Sequence, residues 1–248
     1  RIPMPDAASL QGLKAASRAT LFGLCTLATT MCAQATRQPN TLSPADAQAG
    51  WRLLFDGRTT AGWRGYHRQD MPAGWQVVDG ALTRVAEAGD IITLDQFTDF
   101  ELALEWKISP GGNSGIFYRV TEEGDYGYYS GPEMQVLDDA THADGQSRLT
   151  SAGSAYGLYA APAGVVRPVG EWNEVRIVVN GRHVEHWLNG QQVVSYELLS
   201  PEWEAKVKAT KFAQWPEYGR ASRGHVALQD HGDWVAYRNI RIRELGGR

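Results

Sequence analysis

A handful of polar side chains in this sequence fall where strand alternation would aim them at one face. In Glu133-Met134-Gln135-Val136-Leu137-Asp138, Met134 and Val136 suit a core, which leaves Glu133 and Gln135 together on the opposite, open side. Ile116, Tyr118 and Val120 read as inward-facing, so Phe117 and Arg119 are expected outside. Glu105 points away from Leu104 and Trp106, and His225, Gln229 and His231 lie opposite Val226 and Leu228. If these strands neighbour one another, Glu105, Arg119, Glu133, Gln135, Gln229 and His231 line a common cleft. Glu133 and His231 are then the candidate acid and base, while Arg119, Gln135, Glu105 and Gln229 hold substrate oxygens. Taken singly, each residue is equally well explained as part of a solvated sheet face.

Other chemistries have less support. His142 lies in the Asp-rich stretch Asp138-Asp139-Ala140-Thr141-His142-Ala143-Asp144, which fits no tight zinc or calcium pattern and reads equally as a solvated turn. The sequence contains no phosphate-binding glycine loop, Gly-x-Ser-x-Gly elbow, His-Glu-x-x-His motif or cysteine cluster. The Glu-x-Asp-x-x-Glu arrangement of sandwich-fold glucanases is also missing. An ordinary two-carboxylate hydrolase needs a second acid about 5–10 Å from Glu133, and Glu105 is the candidate.

The positioning elements are strands. Phe100, Leu102, Leu104, Trp106 and Ile108 alternate with Glu101, Ala103, Glu105 and Lys107. Asn180-Gly181 and Asn189-Gly190 punctuate residues 174–197, which predicts three consecutive antiparallel strands. Trp75 to Leu82 predicts a hairpin turning at Asp79-Gly80, and Val226–Leu228 and Val235–Ile242 predict two strands joined through Gly232-Asp233. His186, in phase with Val184 and Leu188, reads as packed. The best helix is Pro201 to Val207, with Ser200 as cap. The pattern predicts an all-β, two-sheet antiparallel jelly-roll sandwich.

The chain of 248 residues suffices for one such domain, expected over 50–245 and preceded by a polar linker at 36–49. A net charge of −4 gives no basis for gripping nucleic acid or anionic lipid. Tryptophan (9) and tyrosine (10) outnumber phenylalanine (6), which suits surfaces that stack on sugars as well as β cores. Trp63 and Trp215 are candidates for such a wall. Lys14 and Arg18, an apolar run from Ala19 to Ala33, and Ala33-Gln34-Ala35 form the pattern of a cleaved leader, so the expected location is secreted or periplasmic. Both cysteines, Cys25 and Cys32, fall inside residues 1–35. The competing reading makes Cys32 a lipid anchor, although Thr30-Met31 suits that poorly.

Several segments, in order, resemble one family. They are Leu54-Phe55-Asp56-Gly57 with Gly62-Trp63, Asn113-Ser114-Gly115-Ile116-Phe117-Tyr118-Arg119, Gly131-Pro132-Glu133-Met134-Gln135-Val136-Leu137-Asp138 with His142, Gly170-Glu171-Trp172-Asn173, His183 to Gly190, and Gly224 to Gly232. Over nearly all of 50–245 the chain is similar to the 3-keto-disaccharide hydrolases. The resemblance implies a concanavalin-A-like lectin/glucanase sandwich, export, and action on glycosides oxidised at C3. A 3-keto group acidifies the C2 hydrogen, so a base can open an elimination at C1 and water can add back, with no carboxylate nucleophile. A divalent metal would polarise the ketone, with His142 and Glu133 as candidate ligands. A carbohydrate-binding module without catalysis and an ordinary glycosidase are the rival readings.

Overall fold

The computed structural model describes residues 38–246. The expected leader and Cys32 lie outside these residues. The strands are β1 (Arg52–Leu53), β2 (Trp63–Gly65), β3 (Trp75–Val78), β4 (Ala81–Arg84), β5 (Ile91–Thr93), β6 (Phe100–Ile108), β7 (Asn113–Val120), β8 (Glu133–Leu137), β9 (Asn173–Asn180), β10 (His183–Leu188), β11 (Gln191–Glu197), β12 (His225–Leu228) and β13 (Val235–Glu244). The helices are α1 (Pro44–Gln48) and α2 (Pro201–Lys208). No helix among the described residues is long and apolar enough to cross a membrane.

The strands form a two-sheet antiparallel sandwich. An eight-stranded sheet runs β11-β10-β9-β6-β13-β4-β3, with β1 also on β13, and a five-stranded sheet runs β2-β5-β12-β7-β8. Turn chemistry sets the hairpins. Asp79-Gly80 and Asn189-Gly190 both hold positive φ at their two positions, the conformation in which asparagine, aspartate and glycine are least strained and whose twist matches the flanking strands. At the β9–β10 turn Asn180 pairs with His183, so the loop is Gly181-Arg182 and begins on the glycine. Strands β12 and β13 belong to different sheets, so Gly232-Asp233 lies on a crossover between layers.

Between the sheets, Leu102, Leu104 and Trp106 of β6 pack with Ile116, Tyr118, Met134 and Val136 of the facing layer. Polar contacts also bridge the layers: Ser114 Oγ to Tyr237 OH at 2.7 Å, and Tyr118 OH to Nε2 of the fully buried His186 at 2.9 Å. Ser200 Oγ accepts the Trp203 N–H and caps α2. The segment expected as a linker is partly docked: Asn40 exchanges hydrogen bonds with Asn239, and its side chain reaches Gly80 O at 2.8 Å. Trp63 is buried and donates to Leu54 O, so it belongs to the core rather than to a sugar-stacking wall.

Candidate active site

The open face of the five-stranded sheet carries the constellation. Register sets Arg64, Ile92, Ala227, Phe117 and Glu133 in one row across β2, β5, β12, β7 and β8. Two residues further along each strand comes a second row. In it, Tyr66 N donates to Asp90 O, Gln229 N donates to Gly115 O, and Gly115 pairs with Gln135. Ile92, Phe117, Val120 and Ala227 form a small apolar floor beneath Tyr66 and Tyr128.

Glu133 lies across Gly115. A Cβ at Gly115 would come within 2.2 Å of Glu133 Oε1, so the glycine leaves the space that the carboxyl occupies. Glu133 is only 8% exposed, and its carboxyl makes no hydrogen bond to any described residue. Burial pushes its pKa up to about 8, against the attraction of Lys211 and with help from the negative charges of Asp90 and Asp144. Asp90 is raised to about 7, chiefly by burial and also by repulsion from Asp230, while the Asp230 N–H that it accepts at 2.9 Å pulls it down. Asp230 in turn accepts Ala88 N–H, Gly89 N–H and Arg84 Nε, which fixes the chain that delivers Asp90.

Above the sheet, residues 121–130 form a tyrosine roof. Arg64 grips Glu122 through two nitrogens at 2.8 and 2.6 Å, and Tyr66 OH donates to Gly124 O at 2.7 Å. Tyr66, Tyr126 and Tyr128, with Asp90, Gln229 and His231, line a cleft of about 380 Å³. Gln229 Oε1 is buried there without a partner, and His231 is exposed at the cleft with no hydrogen bond to a described residue. On the β8 side, Tyr156 OH donates to Asp144 Oδ2 at 3.2 Å, and Lys211 Nζ stands 4.8 Å from the Tyr156 ring centre.

The structure therefore brings Glu133, Gln135, Gln229 and His231 to one face. Gln135 is already engaged there: its Nε2 donates to Thr150 O and its Oε1 accepts Val136 N–H. Its backbone bonds with Gly153 and Ser154, closing the free edge of β8. Two other expectations need correction. Glu105 stands on β6, in the other sheet, where Arg238 Nε (2.7 Å) and Asn239 Nδ2 (2.6 Å) hold it. Arg119 does not enter the cleft, because β7 bulges there: three steps from Phe117 to Val120 oppose two from Ala227 to His225, and Arg119 takes a φ of 53°. The bulge turns Val120 onto the open face and sends the guanidinium to Thr98 O and Asp99 Oδ1. Gly224 lets β12 pass this point, since a Cβ there would lie 2.4 Å from the Arg119 carbonyl carbon. His142 caps the short turn Ala143–Gln146, its Nδ1 accepting Asp144 N–H. No group of three His, Cys, Asp or Glu side chains suited to a metal occurs among the described residues.

Alternation missed Asp90, Lys211 and Tyr156. Asp90 precedes Ile92 by two residues and was detectable once Ile91–Thr93 is read as a strand. Lys211 and Tyr156 come from loops, where periodicity says nothing.

Residues 50–243 match the family described as the 3-keto-alpha-glucoside-1,2-lyase-like domain. The chain is 37% identical over 234 residues to a 3-keto-disaccharide hydrolase of Bacteroides thetaiotaomicron, covering 82% of this chain and 80% of that protein. A crystal structure from Parabacteroides distasonis, assigned as a glycosyl hydrolase, superposes with a TM-score of 0.78 at 32% identity, covering 84% of this chain and 100% of the other. A second from the same organism, likewise assigned, gives a TM-score of 0.63 at 28% identity, covering 79% and 99%. The chain belongs to the family of the 3-keto-alpha-glucoside-1,2-lyase-like domain.

Proposed function

We propose that this chain cleaves 3-keto-glycosides by elimination across C1 and C2, and that water addition to the product gives net hydrolysis. The observation that carries the reading is the Glu133 carboxyl, buried, free of hydrogen bonds and pushed up to about 8, beside a second carboxyl raised to about 7. Such a pair divides labour at neutral pH. Asp90 ionises first, while burial, helped by the Asp90 charge, keeps the proton on Glu133.

In this mechanism Asp90 takes the C2 proton. The C–H electron pair becomes the C2–C3 double bond, and the carbonyl pair moves onto the C3 oxygen. As that oxygen returns its pair, the double bond shifts to C1–C2, the C1–O bond breaks, and Glu133 protonates the departing oxygen. His231, at the cleft mouth, carries the proton from Asp90 to water, and Gln229 Oε1 accepts a sugar hydroxyl. Neither carboxylate acts as a nucleophile, which agrees with the missing glucanase motif.

The test is parallel incubation with a 3-keto-glucoside and its unoxidised parent. Turnover of the keto compound alone is expected. Equal turnover of both points to an ordinary glycosidase, and binding without turnover to a carbohydrate-binding module. Export by way of residues 1–35 belongs to the same proposal. N-terminal sequencing of protein from the native host should begin past Ala35.

A further inference from the structure

We infer that Lys211 is the residue that holds the C3 oxygen of the substrate as it becomes an enolate. The inference rests on the functional reading above and assigns the electrophile that the reading leaves unnamed.

Lys211 opens a short 3-10 turn, Lys211–Gln214, whose Phe212 is buried and anchors the backbone. Its Nζ lies 4.8 Å from the ring centre of Tyr156, 5.8 Å from that of Tyr128 and 5.6 Å from that of Phe212. The first two rings border the site on both sides. Tyr128 lines the cleft that contains Asp90, and Tyr156 lies within electrostatic reach of Glu133. The lysine charge is itself felt at Glu133.

Lys211 also makes no ion pair and no hydrogen bond with a described residue. Lys211 is exposed, and Lys107 and Lys208 likewise form no ion pair; what sets Lys211 apart is its place between Tyr128 and Tyr156 at the site. Aromatic faces attract an ammonium without using its N–H groups, so all three donors of Lys211 remain available. The neighbouring carboxyl, Glu133, keeps its proton at neutral pH and does not neutralise the lysine. The result is a cation with free donors, without an ion pair, beside a proton-holding acid.

The proposed reaction produces a charge that matches this cation. When Asp90 takes the C2 proton, one negative charge leaves Asp90 and appears on the C3 oxygen. Two carboxyls and Asp144 surround that event, and among the groups electrostatically coupled to Glu133, Lys211 is the cation. A donor that reaches a developing oxyanion stabilises the transition state more than the ground state. The ammonium acts here through hydrogen bonding, and no carbon–nitrogen bond forms.

The test compares wild type, Lys211→Met and Lys211→Arg on a 3-keto-glucoside, with the unoxidised parent as competitive inhibitor and thermal melts as folding control. K211M should lose kcat by roughly 10²–10³-fold, with K211R recovering part of the loss. Inhibition by the parent, which has a hydroxyl at C3, should change by no more than about threefold. Borohydride treatment during turnover should leave the mass of the protein unchanged. Near-normal kcat in K211M overturns the assignment, as does an equal loss of parent binding or a reduced adduct on Lys211. A wild-type protein inactive on the keto compound overturns the functional reading itself, a result distinct from any of these.

Discussion

Glu105 and Glu133 are both outward-facing carboxylates on sheet strands, and the protein treats them in opposite ways. On the eight-stranded sheet, Glu105 is held by Arg238 and Asn239, and Glu101 is held by Arg176 and Arg243. The tryptophans of that face are covered too: Arg238 lies 4.0 Å over Trp172 and Arg176 lies 4.1 Å over Trp187. On the five-stranded sheet, the Glu133 carboxyl has no hydrogen bond and the buried Gln229 Oε1 no partner, while the exposed Lys211 has no counter-ion among the described residues. A buried polar group left unpaired costs free energy. One face thus spends its charges on holding the fold, while the other keeps donors, acceptors and a proton in reserve for a ligand.

The most damaging test of this contrast is Glu133→Gln. It should lower kcat by roughly 10²–10⁴-fold, the usual worth of a general acid, most severely for substrates with poor leaving groups. The pH dependence gives a second reading. Activity requires Asp90 ionised and Glu133 protonated, so kcat/KM of the wild type should rise near pH 7 and fall near pH 8. The residual activity of E133Q should lack the alkaline fall. Stability carries the same signature. The unfolded chain releases both protons near pH 4, whereas the folded protein holds them to about 7 and 8. Between these limits the folded state binds more protons, so this contribution is complete below about pH 4 and is lost as pH rises to about 8. E133Q lacks the Glu133 share of this effect, and its melting temperature should exceed that of wild type increasingly from pH 5 to about pH 8. Equal melting curves across that range would show that the carboxyl is not desolvated.

A smaller loss is expected from Gly115→Ala. The new methyl would overlap Glu133 Oε1, while β7 keeps its ladder and its core-facing residues. Displacing the acid by about an ångström should cost roughly 10–10² in kcat, with KM for the keto substrate little changed. If G115A retains full activity, Glu133 need not lie where the structure puts it.

Legibility in the sequence follows the same division. Alternation and turn chemistry carry the sandwich, because every strand must choose an inward face and Asn-Gly or Asp-Gly must turn it. They also place Glu133 and Gln135 correctly, since β8 runs without interruption from Glu133 to Leu137. Arg119 escapes the method at a bulge, where one extra residue in αL reverses the phase and no local sequence feature announces it. Glu105 escapes for another reason: its facing on β6 is read correctly, but alternation cannot say which of two sheets a strand joins. Asp90 sits just ahead of a three-residue strand too short to display a period, and Lys211 and Tyr156 arrive on loops. The chemistry thus combines a strand residue visible to periodicity with partners that only the folded chain assembles.

Glu105→Ala should have the smallest effect on turnover and bears most directly on the contrast between the faces. Glu105 has the type and facing of an active-site carboxylate, and it borders a cavity of about 350 Å³ that is comparable in size to the cleft beside Asp90. Size therefore does not separate the two sites, but partners do. Its two carboxylate oxygens are taken by Arg238 and Asn239, and Asn239 holds the positive-φ bulge of β13 against Asn40. Removing the carboxylate strands a guanidinium and an amide that are each partly buried, and it loosens the docking of residues 38–43. The loss should be about 1–3 kcal/mol, the range for hydrogen bonds to a charged group, read as a lower melting temperature. Because the pair is partly exposed, the lower end of that range is expected. Turnover of the keto substrate should stay within about twofold of wild type, since nothing on β6 reaches the opposite sheet's outer face. A variant that melts normally but loses activity would reverse the assignment of the two faces.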